Sequence, residues 1–323
     1  MIHNKEKLAW RLFTLNWVPN GVLALALALG LLLTGFSLRI EGMLLPLGLV
    51  VFFAGVSYGY AFTDRHNSRV AFILGSIAQL GLMLLLVRPV IYILAAANLP
   101  LQDANLAYID RVLGLDWQAY FHFFYDRPTL IPYVVFCYAM IGWPVFGIPI
   151  VLGSSRHYCR LQQFILAWML TLIAATIVSP LLPAIGTYHQ YGIQLDISKF
   201  NPGNYLIQLR DLPLLRDGSL RVLDSAALGG IITFPSFHAA AAVLYLWAFW
   251  SIWWMRPVAL IVNVGMLLVT PMGGGHYFVD VFAGIGIAVL AIAAARRIAE
   301  WLAVDGRRSV TPTAVPNAAM PAE

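Results

Sequence analysis

Residues 276–296 read HYFVDVFAGIGIAVLAIAAAR, an apolar run with a histidine and an aspartate near its start. A helix needs roughly 20 apolar residues to cross the hydrocarbon core of a bilayer, and this run meets that length. Similar blocks recur along the 323-residue chain, which is 60% hydrophobic and only 11% charged. Soluble domains usually carry about 25% charged residues. The sequence therefore excludes a soluble globular enzyme, a disordered chain and a disulfide-rich secreted module, and it predicts a polytopic membrane protein.

Each apolar block is expected to be a helix, because backbone polar groups in lipid must be bonded within the chain. The predicted fold class is an all-α membrane helical bundle with about eight transmembrane helices. The predicted spans are residues 16–37, 43–62, 70–95, 129–152, 162–184, 235–254, 257–272 and 276–296. Two longer segments, 101–128 and 186–232, connect spans on one side of the membrane. The first is expected to form an amphipathic helix on the membrane surface.

The distribution of Lys and Arg predicts the orientation, because cytoplasmic loops are enriched in both. With the N-terminus inside, the cytoplasmic segments hold Lys5, Lys7, Arg11, Arg65, Arg69, Arg156, Arg160, Arg256, Arg296, Arg297, Arg307 and Arg308. The external side holds fewer, mostly in long loops beside acidic residues. Both termini are therefore expected in the cytoplasm, with the long loops on the external, periplasmic or lumenal face. Basic residues in short loops are typical of membrane orientation, and we expect no nucleic-acid partner.

Few ionisable side chains lie within the predicted spans, and such groups are functional by default because burying them in lipid is costly. His238 lies near the external start of the sixth span, where Pro235 suits the first turn of a helix. His276 is expected in the first turn of the eighth span, after the glycine run 273–275. Asp280 follows four residues later, on the same helix face. Both histidines are therefore predicted at one external depth.

The three side chains suit phosphoryl transfer through a phosphohistidine. Asp280 can accept a hydrogen bond from one imidazole nitrogen of His276, which makes the other nitrogen a better nucleophile. His238 can donate a proton, and helix N-termini with the glycine run can offer N–H groups to an anion. A structural histidine–aspartate bond, a metal site and haem ligation by the two histidines are the alternative interpretations.

The two motifs resemble the type 2 phosphatidic acid phosphatase superfamily. Pro235-Ser236-Phe237-His238 and His276-Tyr277-Phe278-Val279-Asp280 are similar to the Pro-Ser-x-His and His-Tyr-x-x-Asp motifs of the inositol phosphorylceramide synthase-like branch. The resemblance implies a six-helix catalytic core, here within residues 129–298. Residues 1–128 would hold N-terminal spans and the external segment, and 299–323 a cytoplasmic, disordered tail.

The resemblance also implies roles for individual residues. His276 would attack phosphorus, Asp280 would orient and activate it, and His238 would protonate the leaving oxygen. Ser236 would help to hold the phosphate, and no metal or organic cofactor would be needed. The substrate would be a lipid phosphate ester within the membrane, and the acceptor water or an alcohol.

The chain departs from the pattern of the superfamily's phosphatase branch at its basic residues. Thr270 stands where that branch has an arginine, six residues before the nucleophile. The Lys-x6-Arg-Pro motif is absent just upstream of Pro235. Arg88-Pro89 has its dipeptide, but Gly81 replaces the lysine. The residues predicted to bind phosphate in their place are Arg88, Arg210, Arg216 and Arg221.

The predicted activity is phosphoryl or phospho-headgroup transfer on a lipid phosphate ester. Transfer to an alcohol, as in inositol phosphorylceramide synthases, is slightly favoured over hydrolysis of a lipid phosphate or isoprenoid pyrophosphate. The non-enzymatic alternatives are a transporter or scaffold in which the histidines and aspartate form a proton relay or structural tie, and a haem- or metal-binding protein.

Overall fold

The computed structural model describes residues 2–63 and 66–308, and this part of the chain is almost entirely helical. The helices are α1 (Ile2–Leu15), α2 (Trp17–Thr34), α3 (Glu41–Phe62), α4 (Ser68–Ala95), α5 (Asp103–Val112), α6 (Trp117–Tyr125), α7 (Ile131–Ala139), α8 (Gly142–Ser154), α9 (Tyr158–Leu181), α10 (Thr187–Gln190), α11 (Gly203–Arg216), α12 (Phe237–Phe249), α13 (Arg256–Gly273) and α14 (Phe278–Arg308). Short 3₁₀ turns cover Pro128–Leu130 and Trp253–Met255. Two strands, β1 (Ser37–Arg39) and β2 (Val222–Asp224), pair in parallel and join the turn between α2 and α3 to the long loop before α12.

Six helical stretches within the described residues are long and apolar enough to cross a membrane. They are Lys5–Thr34, Glu41–Phe62, Ser68–Ala95, Tyr158–Leu181, Trp253–Gly273 and Phe278–Val304. The pair α7 and α8, bent by 51°, makes a seventh if it counts as one span. The prediction of a polytopic α-helical membrane protein is confirmed, whereas the number eight is not.

The predicted sixth span, 235–254, contains a much shorter helix than expected. Helix α12 has 13 residues, which correspond to about 20 Å at 1.5 Å per residue, whereas the hydrocarbon core is about 30 Å thick. The helix starts late because the Ser236 hydroxyl caps it, accepting a hydrogen bond from the Ala239 N–H. Pro235 therefore precedes the cap and does not lie in the first turn, as the sequence had suggested. His238 remains in the first turn.

Small residues bring α12 and α14 together at the centre of the bundle. Four consecutive alanines of α12, residues 239–242, are almost fully buried. On α14, a Cβ at Gly284 would collide with the backbone carbonyl of Ser236. Small side chains at such crossings allow close backbone approach between helices in lipid. The start of α14 therefore lies directly against the start of α12, which places the two sequence motifs side by side.

Segment 101–128, predicted as a single helix, forms two helices. It forms α5 and α6, and α5 packs against α10 and the start of α14. Trp117, at the first position of α6, is 1% exposed and donates a hydrogen bond from Nε1 to the Pro271 carbonyl at 3.3 Å. The prediction of one helix is wrong, because the chain turns between α5 and α6, and the buried faces of both helices cover the junction between α13 and α14.

The last helix extends beyond the predicted span. Helix α14 continues to Arg308, well into the segment 299–323 that was expected to be disordered. It continues because Ala299 is buried and Leu302 packs on the core, and the Leu302 carbonyl accepts a hydrogen bond from Arg11 of α1. The prediction of disorder is wrong for 299–308, and the remaining tail, 309–323, lies outside the described residues.

Candidate active site

His276 lies in the short loop between α13 and α14. It precedes α14 by two residues and not, as predicted, within its first turn. The side chain is 3% exposed, and its Nδ1 lies 2.9 Å from the Thr233 carbonyl oxygen. A carbonyl oxygen only accepts hydrogen bonds, so Nδ1 carries the proton and Nε2 keeps its lone pair. The loop therefore holds His276 in the tautomer whose Nε2 is a nucleophile.

Asp280 provides a buried carboxylate beside this imidazole. Its Oδ2 lies 3.4 Å from Nδ1 of His276 and accepts a hydrogen bond from the Tyr277 N–H at 2.9 Å. Its Oδ1 is buried without a hydrogen-bond partner in the described part of the chain. The shorter contact to Nδ1 comes from Thr233, which sequence reasoning missed. Asp280 is placed to stabilise the positive charge that develops on the imidazole when Nε2 forms a bond.

His238, near the start of α12, lies close to His276. The ring centroids of His238 and His276 are 6.4 Å apart. The His238 ring stacks on Tyr138 of α7, with centroids 3.8 Å apart and planes 10° from parallel. Its Nε2 is buried and has no hydrogen-bond partner among the described residues. The structure thus brings together all three residues that the sequence singled out, and leaves one polar atom of His238 available to a ligand.

Gly274 lets Tyr138 and His276 pack closely against the backbone. A Cβ at this position would lie 2.7 Å from Nε2 of His276 and would collide with the Tyr138 hydroxyl. The glycine run was expected to offer N–H groups to an anion, but Gly274 and Gly275 donate theirs to carbonyls of α13. Gly274 acts through the side chain that it lacks, because a Cβ there would collide with Nε2 of His276 and with Tyr138.

Two buried aspartates of α5 hold the start of α14 in place. Asp110 accepts hydrogen bonds from the N–H groups of Phe278 and Val279, at 2.8 and 2.9 Å. Asp103 accepts one from the Tyr277 hydroxyl at 2.9 Å, and others from backbone N–H groups at the start of the long loop. The N-terminal N–H groups of a helix lack partners within the helix, so Asp110 supplies the cap. Sequence reasoning placed both aspartates on a surface helix.

Burial shifts the pKa of two of these groups. The pKa of Asp110 is raised, because desolvation disfavours the carboxylate more than its two N–H donors stabilise it. The pKa of the Tyr277 phenol is raised far above its ordinary value by burial, and further by the adjacent Asp103 carboxylate. Tyr277 therefore keeps its proton at neutral pH and serves as a fixed hydrogen-bond donor.

Replacing Asp110 with alanine is expected to destabilise the protein by about 1–3 kcal/mol, because it leaves two buried N–H groups of α14 without partners. Thermal unfolding in detergent would show a lower midpoint for Asp110→Ala than for the wild type. Asp126→Ala is the matched control, since the Asp126 side chain is 61% exposed. Its one ion pair within the described residues is with His122, at 3.3 Å. Equal midpoints for the two variants would contradict the capping role.

The residues predicted to bind phosphate have other contacts. Ser236 caps α12, and Arg88 lines an apolar cavity of about 520 Å³ between α3, α4 and α8. Arg216 donates a hydrogen bond to the Leu99 carbonyl at 2.7 Å, and the Arg221 guanidinium lies 4.6 Å from the Phe36 ring centre. The fourth, Arg210, is hydrogen-bonded to Asp211. Within the described residues, none of the four arginines contacts either histidine. The same residues contain no group of three or more His, Cys, Asp or Glu side chains placed to hold a metal ion.

The fold and the site define a polytopic helical membrane protein with a buried His–His–Asp group between two central helices. The family model of the PAP2 superfamily matches residues 104–294, which is more than half of the chain. The chain belongs to this superfamily, whose members are typically phosphatases or phosphotransferases acting on phosphate esters. The match begins within α5, so it includes Asp110, which caps α14, and starts one residue after Asp103. No curated protein and no solved structure shows a significant match to the chain.

Proposed function

We propose that the protein is a membrane lipid phosphotransferase or phosphatase that forms a phosphohistidine on His276. One observation carries the proposal: the Thr233 carbonyl fixes the proton on Nδ1, so the lone pair of Nε2, which lies beside Gly274 and the Tyr138 hydroxyl, is left as the nucleophile. His238, whose Nε2 lacks a partner, lines the same region. Family membership supports phosphoryl chemistry for this arrangement.

In the first step, Nε2 of His276 attacks phosphorus as the bond to the leaving oxygen breaks. His238 enters this step protonated and gives its proton to that oxygen, so an alcohol leaves. The alcohol would be of the diacylglycerol or isoprenoid type. Asp280, 3.4 Å from Nδ1, offsets the positive charge on the phosphorylated imidazole.

In the second step, His238 takes a proton from water or from an acceptor alcohol, whose oxygen then attacks phosphorus and releases His276. Water gives hydrolysis, and an alcohol gives transfer. We slightly favour transfer, of the inositol phosphorylceramide synthase type, on the resemblance of the Pro235-Ser236-Phe237-His238 motif. Hydrolysis of a lipid phosphate or isoprenoid pyrophosphate is the second candidate.

The short α12 supports a substrate that lies within the membrane. A helix of 13 residues places His238 about 20 Å from its other end, short of the full bilayer core. The histidines would thus lie below the external membrane boundary, where a lipid phosphate reaches them more readily than a soluble ester. We propose the orientation that the basic residues favour, with both termini cytoplasmic and the site open to the external face.

In this arrangement, the Tyr138 hydroxyl is best placed to donate a hydrogen bond to the phosphate. This hydroxyl and Nε2 of His276 both lie next to Gly274, whereas Arg88, Arg216 and Arg221 make contacts elsewhere. A phenol donates one hydrogen bond and would partly replace the arginine that the chain lacks at Thr270.

Tyr138→Phe is expected to lower turnover about tenfold, because phenylalanine keeps the stacking on His238 and removes only the donor. The matched control is Tyr133→Phe on the same helix, where the side chain is 67% exposed. Steady-state phosphate release by the two variants would check this. Equal rates would show that the Tyr138 hydroxyl does not contact the phosphate.

The proposed function is tested with purified full-length protein in detergent and a panel of lipid phosphate esters. Released phosphate and new lipid products are measured with and without an added lipid alcohol acceptor such as ceramide. A product carrying the acceptor indicates transfer, and phosphate release alone indicates hydrolysis. No turnover of any panel lipid under either condition would contradict the proposal.

A further inference from the structure

A basic cleft lies at the end of the bundle opposite the candidate active site. It has a volume of about 1060 Å³ and is lined by residues at the starts of α1, α4 and α9. Ser251, just beyond α12, also lines it, whereas His238 lies at the other end of that helix. The cleft is therefore about 20 Å from the histidines. Its cationic lining residues are Lys5, Arg69, Arg156 and Arg160.

The positive charge of this cleft is not balanced by the described residues around it. Glu6 is the one carboxylate among the described lining residues, and it accepts a hydrogen bond from the Ser68 hydroxyl. None of the four cations forms an ion pair within the described chain, and Arg160 is also repelled by Arg296. Four cations face a single carboxylate among the described lining residues and repel one another, so an anion bound among them would be stabilised by all four.

Arg156 has a backbone conformation that disfavours its own side chain. Its φ is +57°, in the left-handed region, and it follows the C-cap of α8. Glycine is the usual residue at such a position, and an arginine there costs free energy. Strained positions of this kind persist where the side chain has a use. The Arg156 guanidinium, which has no described partner, is available to a ligand.

The surroundings place the cleft at the depth of lipid headgroups. The Arg160 guanidinium lies 4.2 Å from the ring centre of Trp247, and the apolar span α9 begins at Tyr158. Tryptophans are enriched at membrane–water interfaces. Further exposed tryptophans at this end of the bundle are Trp250, Trp253 and Trp254.

We propose that the cleft binds a phosphate-bearing anion, the headgroup phosphate of an anionic phospholipid, through Arg156 and Arg160. Guanidinium groups bind phosphate oxygens by charge-assisted hydrogen bonds, and basic pockets between membrane helices suit anionic headgroups. This site is separate from the histidines and does not depend on the proposed function.

The test compares binding and thermal unfolding of the full-length protein in neutral detergent with phosphatidylglycerol, phosphatidylcholine or glycerol 3-phosphate added. Phosphatidylglycerol should raise the unfolding midpoint of the wild type more than phosphatidylcholine does. Arg156→Gly should bind phosphatidylglycerol about tenfold more weakly. Without lipid, this variant should unfold at the same or a higher temperature, because glycine removes the backbone strain. Its phosphate-ester turnover should be unchanged.

Arg297→Gln is the matched control, since Arg297 lies at the same end of the bundle, is 86% exposed and does not line the cleft. It should respond to phosphatidylglycerol as the wild type does. Equal lipid responses from the wild type, Arg156→Gly and the double variant Arg156→Gln/Arg160→Gln would overturn the site. An equal response to glycerol 3-phosphate alone would overturn the lipid assignment and identify a soluble phosphate compound as the ligand.

Discussion

His276→Ala is expected to lower turnover of a lipid phosphate ester by at least about 10³-fold, because it removes the proposed nucleophile and leaves only binding and electrostatic contributions. The loss should be the same for every leaving group, since no substrate can form the covalent intermediate. Steady-state phosphate release, measured in detergent with purified variants, gives this number directly.

The control for this variant is His189→Ala, since His189 is an exposed histidine of the short helix α10. It should keep the turnover of the wild type. Thermal unfolding of both variants separates loss of chemistry from loss of fold, since His276 also bonds the Thr233 carbonyl through Nδ1. Substantial turnover by a folded His276→Ala variant would show that a different group attacks phosphorus.

His238→Ala is expected to lower turnover by about 10²- to 10⁴-fold for alkyl phosphates, the range typical of general acid catalysis. The loss should be much smaller for nitrophenyl phosphate, because nitrophenolate leaves without a proton. Tyr138 stacks on the imidazole, so the variant also opens a space beside that ring. Comparing the two substrates in one variant cancels this packing effect.

The loss of turnover for the alkyl phosphate, divided by the loss for nitrophenyl phosphate, therefore reports the proton transfer itself. A ratio near one would mean that His238 supports the site by packing and does not protonate the leaving oxygen. A large ratio for His238→Ala, with a ratio near one for the control His189→Ala, identifies His238 as the proton donor.

The sequence predicted the parts of the fold that depend on composition and spacing alone. Lipid forces apolar blocks into helices, so most spans and the membrane class follow from hydropathy. The histidine pair was recognisable because few ionisable residues lie in those blocks. Its proximity then follows from the small residues of α12 and from Gly284 of α14, which let the two helices touch.

The remaining site residues come from tertiary contacts that spacing does not encode. Tyr138 stacks on His238 from the end of α7, just before the 51° bend in the fourth predicted span, and hydropathy predicts neither the bend nor the contact. Thr233 acts through its carbonyl, which every residue has, so its identity carries no signal. For Asp103 and Asp110, by contrast, the sequence did contain a signal. Their seven-residue separation places them on one face of α5 with buried Leu106 and Ala107, which indicates a packed face and not a solvated one.

The length of α12 shows a further limit of hydropathy. Apolar residues continue past its end, so the predicted span 235–254 includes the cap, the helix and the turn that follows. The hydroxyl of Ser236 and the crossing at Gly284 decide where the helix begins, and both act through three-dimensional contacts.

Trapping the covalent intermediate tests the central claim most directly. The purified protein is incubated with a lipid ester labelled with ³²P at phosphorus, quenched in base, and digested for peptide mapping. The label should be stable in base and lost in acid, as expected of a phosphoramidate, and should map to the peptide containing His276. It should be absent from His276→Ala and present in His189→Ala. Label on another residue, or turnover with no label on any peptide, would contradict phosphoryl transfer through His276.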